Sequence, residues 1–183
     1  MRCKKRSKSK LKKVNSKQVK VSIIIPHHGG LKILDECLKS LEKSTFKDYE
    51  IILVDNNSQD GSVIEIKNKF PDVNILSLKR NLGYAGGCNQ GAIQSNGELL
   101  LFLNNDTIHS SNWIEPLVNL MDSDSNIASV QPKVLNIKEN KLFDYAAGAG
   151  GFIDIFCFPF IRGRIFNYIE YDEDQYNSQQ EIF

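Results

Sequence analysis

The chain has 183 residues, 41% apolar and 25% charged, with a formal net charge of +1. That is length enough for one α/β domain with a real core, and the composition of a soluble globular protein; no stretch is long and apolar enough to span a membrane. The near-neutral total conceals an asymmetry: residues 1–20 hold Arg2, Lys4, Lys5, Arg6, Lys8, Lys10, Lys12, Lys13, Lys17 and Lys20 with no acid, whereas residues 170–183 hold Glu170, Asp172, Glu173, Asp174 and Glu181 with no base.

In chain order, residues 1–19 read as a basic, solvated, disordered tail. The tail lacks the apolar stretch of a signal peptide. Its charge suits peripheral contact with anionic lipid head groups at the inner face of a membrane. Without aromatic residues among the cations it does not read as a nucleic-acid site. Val21–Pro26 is a short buried strand ended by proline. Gly29-Gly30 makes a loop, and Leu34, Cys37, Leu38 and Leu41 then fall at helical spacing. Glu50–Asp55 is the next strand, and Asn56–Gly61 has turn composition. A helix over residues 62–70 is stopped by Pro71. Val73–Leu78 is a third strand, and Asn81–Gly87 is a glycine-rich loop leading to a helix over residues 88–95, closed by Asn96-Gly97.

Leu99–Leu103 runs apolar without alternation, as in a central strand buried on both faces. A helix through Trp113, Leu117, Leu120 and Met121 follows, with Pro116 in its first turn, and Ile127–Val130 reads as a further short strand. Strands alternating with helices imply a mostly parallel sheet with helices on both faces. This domain covers 20–135. Residues 136–183 form an irregular C-terminal extension: Ala146–Gly151 is too glycine-rich for regular structure, and Phe152–Phe166 is aromatic and apolar without a period. That last segment either folds over the sheet edge or offers a surface to a protein partner. Cys3, Cys37, Cys88 and Cys157 are scattered with no CxxC pair, which excludes a zinc framework; Cys37 and Cys88 sit on apolar helix faces, as reduced core residues of a cytoplasmic protein do.

Three loops leave the carboxyl edge of the inferred sheet, where ligands bind in open α/β folds. Two of them begin at an acid, Asp55 and Asp106. Asp55 is placed to accept hydrogen bonds from a base or ribose, or simply to cap its own turn. Asp60 belongs to an Asp-Gly turn. Asn81–Asn89 offers backbone N–H groups close to a helix start, suited to a phosphate, with Lys79 and Arg80 just before it. It is neither a GxxxxGK[ST] loop nor a dinucleotide fingerprint. Asp106 is the metal candidate: one carboxylate, two phosphate oxygens and water complete a magnesium or manganese shell, and the ion would neutralise a diphosphate leaving group. His27, His28 and His109 lack metal-ligand spacing and read as loop residues.

Val21–Pro26, Ile52–Gly61, Arg80–Gly91 and Leu103–Thr107, in that order, resemble the motifs of family 2 glycosyltransferases, nearest the rhamnosyltransferase-like subgroup, over about residues 20–135. The resemblance implies a GT-A fold, a nucleoside diphosphate sugar donor, a saccharide or lipid-linked acceptor, a divalent metal (Mg2+ or Mn2+) and inversion at the anomeric carbon. It places Pro26 and Asp55 at the nucleoside, Asn81, Gly83 and Asn89 near the diphosphate or ribose, and Asn57 among the residues that bind the nucleotide sugar. Asn104, Asn105 and Asp106 occupy the family's DxD position, where Asn104 replaces the first acid and leaves ligation to Asp106. Family members continue further and carry a carboxylate general base, often in a Glu-Asp pair. The acids at 172–174 lie in a polar, tyrosine-rich stretch and do not match that pattern. The chain therefore reads as a donor-binding half that ends before its acceptor region. The alternatives are a donor-binding fragment without activity, one half of a split enzyme, or a nucleotidyltransferase.

Overall fold

The computed structural model describes residues 18–146 and 148–176. All but the last two residues of the expected basic tail, and Cys3 with them, lie outside the described residues. The described chain forms two compact units, one of residues up to 39 with 47–107 and one of 40–46 with residues from 108 onward.

The first unit is a four-stranded parallel sheet in the order β3-β2-β1-β4, built from β1 (Val21–His27), β2 (Tyr49–Asp55), β3 (Asn74–Ser77) and β4 (Leu99–Phe102). β1 and β2 are the interior strands. Ile23, Ile24, Ile25, Leu53 and Val54 are wholly shielded from water, each contributing about 1.5–3 kcal/mol of apolar burial. Ile24, Ile52 and Val54 form one face, with Leu76, Leu78 and Ala92 packed on it. Helix α3 (Gly83–Gln94) lies there so closely that a Cβ on Gly91 would stand 2.4 Å from Ile24 Cγ2. Helix α1 (Leu31–Glu42) buries Leu34, Cys37, Leu38 and Leu41, the predicted stripe, and Asp35 ties it to Lys69 of α2 (Ser62–Lys69).

Three expectations change here. β1 runs one residue past Pro26. Ile24 O accepts the Leu103 N–H, and Pro26, two residues on, faces the same way, where β4 has already ended. Its missing donor therefore interrupts no rung. β4 is an edge strand, with Leu100 42% and Phe102 48% exposed; its unbroken apolar run does not signify burial on both faces. The glycine-rich stretch at 83–87 is not a loop but the first turns of α3, where Gly87 allows close approach to Asn56 and Pro26.

The second unit holds α4 (Ile114–Ser123), with Pro116 in its first turn, and two antiparallel hairpins, β5 (Gly151–Ile153) with β6 (Pro159–Ile161) and β7 (Arg164–Ile165) with β8 (Tyr168–Ile169). The expected strand at Ile127–Val130 does not form, and Phe152–Phe166 is not irregular. Short hairpins of two or three residues per strand leave too few alternations for a periodic signal. Phe143 is the buried centre, tilted against Tyr176 at 5.6 Å, with Gly163 so close that a Cβ there would lie 2.6 Å from the ring. Among the described residues no helix is long and apolar enough to cross a membrane.

Candidate functional site at the carboxyl edge of the sheet

The strand order creates the site. From β1 the chain moves to β2 and β3 on one side, while β4 joins β1 on the other. The ends of β1 and β4 therefore lie side by side at the sheet's carboxyl edge, the usual ligand position in open parallel sheets. The β1–β4 ladder runs out with Leu103 N–H to Ile24 O. Beyond it the two segments are joined by side chains: Asn105 Nδ2 lies 2.9 Å from His27 Nδ1.

His27 is buried and is a strand residue, not the loop residue expected. Its Nε2 lies 2.9 Å from Ser62 Oγ at the start of α2. Desolvation holds its pKa below the ordinary 6.5, outweighing the attraction of Asp60 and Asp55. The ring is therefore neutral at pH 7. Asp60 Oδ1 accepts both the Ser62 hydroxyl at 2.5 Å and the Ser62 N–H at 3.1 Å, and its other oxygen accepts the Gly30 N–H at 2.8 Å. These bonds hold the Asp60 carboxyl down at about 2. Asp60 is thus the turn residue the Asp-Gly pair suggests.

Asp55, at the end of β2 and in register with His27, is buried; its Oδ1 accepts the Ser58 N–H at 2.8 Å. Asn57 holds φ +65° beside it, and its carbonyl and side-chain oxygens accept from Gln59 Nε2. Asn56, which sequence reasoning passed over as one more turn residue, is the clip of this edge. Its N–H donates to His27 O, its O accepts from His28 Nδ1 at 3.0 Å, its Nδ2 donates to Gly83 O at 3.2 Å, and its Oδ1 accepts the Leu82 N–H at 3.3 Å. The same side chain explains Gly87, where a Cβ would stand 2.8 Å from Asn56 Nδ2 and 3.2 Å from Pro26 Cβ. Only its burial marks Asn56 out, and burial is not written in a turn sequence.

Asn81 Oδ1 accepts the Gly83 N–H at 2.8 Å and opens α3 at this edge. Asn89 is exposed on α3. Asn104, Asn105 and Asp106 lie in the turn after β4, where Asn104 O accepts the Thr107 hydroxyl at 2.9 Å. Asp106 is exposed, and its charge helps push the Tyr84 hydroxyl and the Cys37 thiol upward, behind desolvation in both cases, with Cys37 reaching about 11. Cys37 is thus an inert core thiol. Among the described residues no three His, Cys, Asp or Glu side chains gather as a metal cage. A single exposed carboxylate suits an ion that brings oxygen ligands and water with it, as magnesium does. His109, also expected in a loop, belongs to the second unit: it stacks on Trp113 at 4.5 Å and is held down to about 4 by burial.

The family described as Glycosyl transferase family 2 matches residues 22–178. A cholesterol galactosyltransferase of Borreliella burgdorferi is 33% identical over 135 residues, 69% of this chain and 37% of that protein. A GalNAc(5)-diNAcBac-PP-undecaprenol beta-1,3-glucosyltransferase of Campylobacter jejuni is 30% identical over 72% of this chain and 43% of its own length. The chain thus spans less than half of either. In fold it is similar to S. aureus TarS, whose structures in complex with UDP (TM-score 0.52, 23% identity, 64% of this chain and 39% of that one) and UDP-GlcNAc (TM-score 0.53, 23% identity, 64% and 38%) share the mostly parallel GT-A sheet.

Proposed function

The chain belongs to glycosyltransferase family 2, and from that premise we propose that its first unit binds a nucleoside diphosphate sugar at the carboxyl ends of β1, β2 and β4 and serves an inverting transfer of the sugar to a saccharide or lipid-linked saccharide hydroxyl. The observation that carries the reading is the meeting of the three loops. Asn105 reaches His27 beside Asp55, and Asn56 ties that edge to the start of α3. The nucleotides held by TarS and the lipid-linked acceptor in the Campylobacter enzyme's name support the donor and acceptor classes.

In this reading Asp55, Pro26 and Asn57 line the nucleoside, and Asn81, Gly83, Asn89, Asn104 and Asn105 lie toward the diphosphate and ribose. Asp106 would hold Mg2+ or Mn2+ together with donor oxygens; bound there, the ion supplies electrostatic stabilisation of the departing diphosphate. We assign no general base: Asp172, among the late acids, is paired with Lys133 at 2.5 Å. The second reading is donor binding without transfer. We also assign the exposed apolar stretch 152–166 to a protein partner, and the rhamnosyltransferase-like subgroup on motif order.

The test is titration of UDP, GDP and dTDP with manganese, read by thermal shift, followed by turnover with a donor panel that includes a dTDP-rhamnose. One nucleotide binding best, with sugar transfer, is expected. Binding without transfer selects the second reading. No binding of any nucleoside diphosphate overturns both.

A further inference from the structure

Resting on that donor-site reading, we propose that His27 is a positioning residue: its ring, with Nδ1 as acceptor, holds the Asn105 amide and with it the turn that carries Asp106 at the carboxyl edge of the sheet.

The proton direction follows from one end of the hydrogen-bond chain. An ionised Asp60 only accepts, so the Ser62 hydroxyl must spend its single proton on Asp60 Oδ1. Ser62 Oγ is then an acceptor for its other neighbour, and His27 Nε2 must carry the hydrogen that reaches it. A neutral imidazole has one N–H, so Nδ1 is bare. The Asn105 group 2.9 Å away must therefore be its NH2. Asn105 is thereby turned one way, its carbonyl oxygen held away from the ring. A charge at the start of α2 thus sets the orientation of an amide beyond β4, in a stretch where the strand ladder has ended. The ring is buried and makes both bonds, so it has no other place to go. A structural histidine would stabilise the unit. A positioning one also governs affinity at a site it does not touch.

Two substitutions separate these roles. Asn at position 27 retains an acceptor near the place of Nδ1 but not the reach to Ser62. Gln retains the reach to Ser62 but not that acceptor. Each gives up one buried hydrogen bond, so their stabilities should fall alike. His27→Gln should weaken UDP binding in manganese about tenfold, the value of one hydrogen bond, while His27→Asn stays within about twofold of the parent. Equal affinity losses in the two, or none in either, overturn the proposal. Should both variants fail to fold, the tautomer of His27 in the unmodified protein carries the test. In the unmodified protein, 15N spectra of labelled histidine should show His27 as the Nε2–H tautomer, and an Nδ1–H signal would overturn the proton direction. If the parent binds none of UDP, GDP and dTDP, the donor reading falls first and this inference with it; if the parent binds and His27→Gln binds equally, only this inference falls.

Discussion

Asp55 ends β2 and Asp106 lies in the turn after β4, and their surroundings are opposite. Asp55 is buried and already gives one oxygen to the Ser58 N–H, so its removal should loosen the turn and any nucleoside seated on it, metal or no metal. Asp106 is exposed in its turn. Its removal should leave the unfolding free energy within about 0.5 kcal/mol of the parent, as at ordinary surface positions. We therefore expect Asp55→Ala to weaken UDP binding in EDTA and in manganese alike, and Asp106→Ala to erase only the gain that manganese brings. Calorimetric titration under both conditions reads the two effects; an Asp106→Ala protein that still gains from manganese would remove the carboxylate from the metal site. The pattern of acid, amide and strand end made both residues visible in the sequence. His27 was not visible in its role, because a histidine after a proline looks the same whether its ring meets water or a buried serine.

The elements divide by how much neighbours decide them. α1 is legible from its stripe alone, since Leu34, Cys37, Leu38 and Leu41 recur at one helical face and all four are buried. The start of α3 is not, because Gly83, Gly86 and Gly87 look like a loop. Further along, the lack of a side chain at Gly91 allows the helix to settle on Ile24 and Val54. Gly91→Ala should accordingly cost about 1–3 kcal/mol by overpacking. Gly151→Ala, whose Cβ would find Phe160 O at a comfortable 3.9 Å, should be nearly neutral. Urea denaturation of the two variants checks this. The β5–β6 connection is a different case. Asp154 Oδ1 accepts the Phe156 and Phe158 N–H groups at 2.8 and 2.9 Å, ordering a tip whose Ile155 is 91% exposed, with Phe156 and Phe158 largely exposed too. Ordered apolar side chains in water favour association, so Ile155→Ser with Phe156→Ser should lower concentration-dependent association in sedimentation velocity. Identical sedimentation of parent and variant would remove this tip as a contact surface.

At the scale of the molecule, pH acts through the buried imidazoles. His27 lies below 6.5 and His109 near 4 in the folded chain, both through desolvation. Between about pH 4 and 6.5 the unfolded chain therefore binds protons that the folded chain refuses. Stability rises with pH through that window and is lost as pH falls. The urea midpoint should drop from pH 7 to pH 5, and His109→Gln should flatten the slope; a slope unchanged in that variant would mean the ring titrates freely. The two units each carry one of these rings, so both should weaken in acid.

What the chain's order of residues determined alone is the α/β alternation, the α1 stripe, the end of β2 at Asp55, and the four-motif resemblance. All of these depend on local spacing, which a linear string records. Only the folded arrangement decided that β4 lies at an edge, that Gly87 and Gly91 of α3 are for packing, and that Asn56 and His27 hold the loops of this edge together. Those facts depend on which residues, distant in the chain, exclude water from one another. Asn105 and His27 stand 78 positions apart, and their bond exists because parallel pairing on either side of β1 brings two strand ends to one edge.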